Sequence, residues 1–221
     1  MYGKIFLDDV GILAKNNQNR RTNIMKKVLV FAGVCIFVAT AVSSIFAQND
    51  VTFTGTAVSY GSGFNTRTRT SAFTMKITGV TPDLVAARYL SILQSGGQDD
   101  LLKAMKDQDL GFFALTGRLG DTLTGVRVTD LEGKRLIRAV FERRVNIAEL
   151  RYGSRSTDYP FGYVELIVDA RTGKGDGTYI PAAQIKFKKD KRTGADNVEI
   201  EGFATFPAKL IGVQMRGARV P

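Results

Sequence analysis

Alternating apolar and polar positions organise the chain after residue 50. Val51, Phe53, Gly55 and Ala57 alternate with Thr52, Thr54, Thr56 and Val58, and Phe73, Met75 and Ile77 alternate with Ala72, Thr74 and Lys76. A period of two with this much threonine predicts two strands, each with one solvated face. Between them, Tyr60-Gly-Ser-Gly-Phe-Asn65 supplies residues that tolerate positive φ, so the pair reads as a hairpin.

The period then changes. Ala86, Tyr89, Leu90 and Leu93 recur at helical spacing behind Thr81-Pro82-Asp83, where Thr81 reads as N-cap, Pro82 as the first helical residue and Asp83 as a charge suited to the positive end. Gly96 and Gly97 stop that helix, and Asp99 and Asp100 start a second, with Leu101, Leu102 and Met105 inward. The pattern predicts a two-helix hairpin inserted between residues 81 and 108.

Beyond it the chain returns to β. Leu110 to Leu119 and Thr122 to Thr129 lead into the turn Asp130-Leu-Glu-Gly-Lys134, and Arg135 to Arg144 returns with apolar residues on both faces, as a central strand would. Val145 to Tyr152 reads as a bent continuation, followed by a polar loop and a strand from Phe161 to Ala170. Pro181 to Lys188 and Asn197 to Phe206 flank a polar turn, and their patterns fix a register. If Phe187 meets Val198, then Ile185 meets Ile200 on the same face and Lys186 meets Glu199 on the other. Lys209 to Arg216 reads as a last edge strand. The expectation is a mainly β chain (α+β by content): an antiparallel β-sandwich or a partly closed β-barrel of about eight to ten strands, with the helical hairpin inserted.

The leader sets the compartment. Lys26 and Lys27 precede an uncharged apolar run from Val28 to Val42, followed by Ser43, Ser44 and Ala47. That is the layout of a secretory signal peptide over residues 25–47; a retained membrane anchor is the rival, diluted by Gly33, Thr40 and the serines. Residues 1–24 then read as a start codon assigned too early or as an extended N-terminal region. Arg20 and Arg21 lack the apolar residue that should follow a twin-arginine pair. Cleavage after Ala47 leaves a single β-rich domain, residues 48–221, with 25 basic and 19 acidic residues, so the formal charge falls from +10 to +6. A charge of that size chiefly keeps a domain soluble. A periplasmic or secreted location is expected.

Two absences narrow the chemistry. Cys35 is the only cysteine and lies in the leader, so the mature domain has neither disulfide nor thiol nucleophile. Histidine is missing altogether, which removes the usual base near neutral pH and nearly every zinc, copper or haem site. No cofactor and no metal are expected.

The candidate ligand-binding residues are Arg67 and Arg69, beside a glycine-rich loop whose amides could cradle a phosphate, and Arg155, Asp158, Tyr159 and Glu165, the densest group of functional side chains. Lys186, Lys188, Lys189, Lys191 and Arg192 form a candidate polyanion-binding cluster, against a reading in which facing glutamates neutralise it. Glu165 and Asp169 share a strand face about 13 Å apart along the strand. Paired glycosidase carboxylates stand roughly 5 to 9.5 Å apart, so these two alone are not a catalytic couple. Asp169-Ala-Arg-Thr-Gly-Lys-Gly-Asp-Gly177 fails as a P-loop and as a calcium loop and reads as a glycine-rich hairpin turn.

These features favour an exported, non-catalytic binding or structural protein of a bacterial envelope, with an apolar or anionic ligand. The alternative is a carboxylate-dependent hydrolase acting on an envelope polymer. The partner is left open between an envelope polymer and a lipid. Nucleic acid is not expected, and membrane contact is expected only through an uncleaved leader.

Overall fold

The computed structural model describes residues 50–61, 67–145, 147–151, 155–189, 196–203 and 206–217. The leader lies outside them. The described residues form nine strands: β1 (Val51–Ser59), β2 (Arg69–Ile77), β3 (Gly111–Leu115), β4 (Asp121–Leu131), β5 (Lys134–Glu142), β6 (Phe161–Asp169), β7 (Lys174–Lys189), β8 (Asp196–Gly202) and β9 (Ala208–Gly217). A helix, α1 (Asp83–Met105), separates β2 from β3, and a short one, α2 (Ile147–Arg151), precedes a 3-10 turn, Arg155–Asp158.

Every pairing is antiparallel, and the neighbours run β6-β5-β4-β3-β2-β1-β9-β7. A further pairing, β6 with β7, returns the last strand to the first and closes eight strands into a barrel. The sandwich alternative is therefore overturned: one sheet curls until its edges meet. Gly175 and Gly177 explain how. A β-carbon at either would lie about 2 Å from a backbone oxygen of β6, 2.0 Å from that of Ile167 and 2.2 Å from that of Glu165. Only residues without a side chain let the two strands coil so closely along the seam. The glycine-rich turn expected from Asp169 to Gly177 is correspondingly shorter, because β7 has begun by Lys174.

Alternation fills the barrel. Phe53, Phe73, Met75, Phe113, Ile137, Phe141, Leu166 and Leu210 point inward and are almost wholly buried. Phe73, Phe113 and Phe141 follow one another with ring centroids 5.8 Å apart at each step, and Tyr179 lies 4.8 Å from Phe113. Eight strands enclose a lumen that side chains can fill, and here aromatic rings span it.

A second core lies outside the barrel wall. Leu93, Leu101 and Met105 of α1 pack with Phe161 and Tyr163 of β6 and with Ala183 and Ile185 of β7. The later half of β7 has left the barrel here and pairs with β8 as a two-stranded ribbon. Its register is the expected one, Ile185 opposite Ile200, Lys186 opposite Glu199 and Phe187 opposite Val198. The apolar face of the ribbon joins the second core, and its charged face is left to solvent.

The expected two-helix hairpin is not present. Gly97 bends α1 with φ 75° and ψ −167°, a conformation essentially reserved for glycine, but Leu93 before it and Leu101 and Met105 after it bury in the same cluster. Sharing one apolar seat keeps the two segments as one bent helix. Thr81 does not cap it. Its hydroxyl accepts from the Val126 amide at 3.0 Å, its own amide donates to Val126 O at 2.8 Å, and helical residues begin only at Asp83. Two other expectations change. Residues 147–151 are helical rather than extended, and β9 is not an edge, since it pairs with both β1 and β7.

Candidate functional site

β1, β3 and β5 end where β2, β4, β6 and β9 begin, so one end of the barrel carries the β1–β2 loop, the β3–β4 turn and the long β5–β6 connection. At that rim polar side chains join the apolar Leu115 and Ala208 among the inward-facing positions. Asp121 pairs directly with inward-facing Phe113 and precedes inward-facing Leu123 by two residues, so it faces the same way at the rim. Its carboxylate meets the Arg144 guanidinium at 3.2 Å, and Arg144 also donates to Gly120 O at 2.7 Å. Partial burial raises the Asp121 carboxyl above its ordinary value, while Arg144 and then Arg118 oppose that rise.

Tyr179 stands beside it. Its ring belongs to the interior stack, and the residue is 8 % exposed. Its hydroxyl takes no hydrogen bond from any described residue and still reaches solvent. Burial pushes the phenol up to about 12, helped by the Asp121 charge and opposed by Arg118 and Arg143. It is a proton donor throughout the neutral range.

Arg143 clamps the β5–β6 connection. Its guanidinium donates to both carboxylate oxygens of Glu149 at 2.7 and 3.3 Å, to Ser156 O at 2.6 Å and to Tyr159 O at 2.6 Å; the Ser156 hydroxyl donates to Glu149 at 2.6 Å. A half-buried fork with every contact charge-assisted holds a loop in one shape. Its chemistry is structural.

The expected site residues scatter around this frame. Arg67 and Arg69 lie exposed at the start of β2 on the rim, with Arg69 opposite Ser59. Arg155 begins the 3-10 turn and Asp158 ends it, the Asp158 carbonyl accepting from Gln98 Nε2 at 2.8 Å. Tyr159 packs against Phe203, ring centroids 5.1 Å apart and planes tilted by 58°, and donates to Glu201 at 3.2 Å. Glu201 also takes Lys186 at 2.7 Å, so the loop candidates and the lysine candidates meet on one carboxylate. Lys188 pairs with Glu199 at 2.5 Å, and Lys189 is exposed at the end of β7. These pairs are diagonal across the ribbon, one step from the direct Lys186–Glu199 pairing. Lys191 and Arg192 lie outside the described residues.

Glu165 sits apart, mid-strand on the outer wall. Arg138 Nε meets it at 2.9 Å and the Tyr163 hydroxyl donates to the same oxygen at 2.8 Å. Burial first, then the Glu165 charge, holds the Tyr163 phenol far above its ordinary range. Asp169 closes the β6–β7 turn, accepting from the Arg171 and Thr172 amides and the Thr172 hydroxyl, which lowers its carboxyl below the usual value. The two carboxylates considered for hydrolysis are thus occupied in separate local structures.

Sequence patterns missed Asp121, Arg118 and Tyr179. The signal was present for two of them. Asp121 keeps the phase of Leu123 but was hidden in an apparent turn with Gly120, and Tyr179 keeps the phase of Gly175 and Gly177. Among the described residues no three His, Cys, Asp or Glu side chains gather to hold a metal ion, and no helix is long and apolar enough to cross a membrane. The chain matches no protein-family model, no curated protein and no solved structure.

Proposed function

We propose that the protein is an exported, non-catalytic binding or structural module of a bacterial envelope, and that it binds at the barrel rim rather than inside the barrel. The observation that carries this reading is Tyr179, its ring buried and its hydroxyl left without a partner among the described residues, at the top of a barrel whose lumen is filled by rings. A hydroxyl held at an opening, still reached by solvent and without a partner among the described residues, fits a position that water or a ligand completes. Enclosure of an apolar ligand finds no support where Phe73, Phe113, Phe141 and Tyr179 occupy the lumen.

Export rests on the leader pattern alone. Fractionating cells that express the protein and sequencing its mature N-terminus tests it: cleavage near Ala47 and release from the cytosol are expected. An intact cytosolic product removes the envelope from the reading. The binding half is tested separately, by the titrations below.

A further inference from the structure

Of the charged groups that act on the Tyr179 phenol, Asp121, Arg118 and Arg143, only Arg118 has no partner among the described residues; the exposed Asp158 carboxylate, further along the β5–β6 connection, has none either. Asp121 is matched by Arg144, and Glu149 by Arg143. Among the described residues the guanidinium groups of Arg67, Arg69 and Arg118 take no ion-pair or hydrogen-bond partner, and the Tyr179 hydroxyl takes none either. Glu142, also at this end, falls on the outward side of β5 by alternation. Arg118 sits in the β3–β4 turn, where its amide donates to Leu115 O, just beyond Phe113, whose ring lies 4.8 Å from that of Tyr179, and its charge works to lower the phenol's pKa. Beneath them the packed rings form a floor, so only a small head group can reach the hydroxyl.

We propose that the rim binds an oxyanion group, a carboxylate or a phosphate, between the Arg118 guanidinium and the Tyr179 hydroxyl. This rests on the rim-binding reading and adds the chemistry of the ligand. Arg118 supplies charge and a planar fork of donors, while Tyr179 supplies a fixed donor whose ring is locked by Phe113 and Phe141. Arg67 and Arg69, beside the opening on the β1–β2 hairpin, raise the local concentration of anions. Asp121 is the group that opposes binding. Its repulsion is muted by Arg144 and disappears on protonation, which burial brings nearer to neutral pH.

The test is calorimetric titration of the purified full chain at low ionic strength with inorganic phosphate, with succinate and with spermidine. Saturable binding of one or both anions is expected, and their ranking separates a phosphate site from a carboxylate site. Arg118→Ala should weaken binding about tenfold or more, and Tyr179→Phe, which keeps the ring, about three- to tenfold. Asp121→Asn should tighten it severalfold at constant pH. Unchanged affinity in both Arg118→Ala and Tyr179→Phe would overturn the proposal. Binding of spermidine that Asp121→Asn abolishes would overturn the oxyanion assignment while leaving a rim site. Failure of all three probes to bind would remove the rim-binding reading itself.

Discussion

The barrel interior and the core beneath α1 are built from the same residue types and are held in different ways. Inside the barrel, rings from β2, β3, β5 and β7 touch one another, and their strands are each paired on both sides. Outside, Leu93, Leu101 and Met105 depend on one bent helix and on a ribbon whose outer strand, β8, pairs only with β7. A closed wall distributes the loss of any one contact; a helix on a ribbon does not. Local opening should therefore start outside the barrel.

Truncating an interior ring should show this most strongly. Phe113→Ala leaves a cavity among Phe73, Phe141 and Tyr179 and should cost about 3–5 kcal/mol, with one cooperative transition in chemical denaturation. Leu101→Ala should cost about 2–3 kcal/mol, because a cluster at the surface can partly collapse. Hydrogen exchange in that variant should quicken in α1 and β8 while the β1–β5 amides keep their protection. Equal quickening throughout would show that the two cores form one cooperative unit. Gly175→Ala attacks the seam: its β-carbon would meet Ile167 O, and about 1–3 kcal/mol should be lost, with exchange rising first in β6 and β7.

The smallest effect concerns the ribbon's charged face. The Lys186 contact, then the Tyr159 hydrogen bond, hold Glu201 below its ordinary value of 4.5. A carboxyl lowered by folding contributes stability above its unfolded value and loses it as pH falls through the folded one. Acidification from just above 4.5 downward should therefore loosen β8, read as faster exchange at Val198 and Ile200. Lys186→Met should remove most of that dependence. Asp121, raised by folding, works in the opposite direction, its contribution fading as pH rises through its folded value.

Much of the wall was legible in the sequence because period two is a local signal. The β1–β2 hairpin and the Ile185–Ile200 register follow from residues within a few positions of each other. Closure was not legible, since it depends on how Gly175 and Gly177 let β7 approach β6, and glycine in a strand reads equally well as a turn. The bent helix was missed for a related reason. Gly96 and Gly97 look like a stop, and only the shared burial of Leu93 and Met105 shows that the chain carries on. Of the expected site residues, Arg67 and Arg69 fell at the rim, Tyr159 and Lys186 joined through Glu201, and Glu165 proved to be part of the wall. Their type was readable; their company was set by strand order across the whole chain.

β7 carries a consequence of its own. It is 16 residues long, roughly 50 Å if fully extended, and with its neighbour β6 it serves both cores. Tyr179 and Ala183 lie one on each side of Pro181, so after a single backbone cut there the handle would hang on the vessel through the Phe161–Ala183 pairing and the chain that runs from β8 into β9.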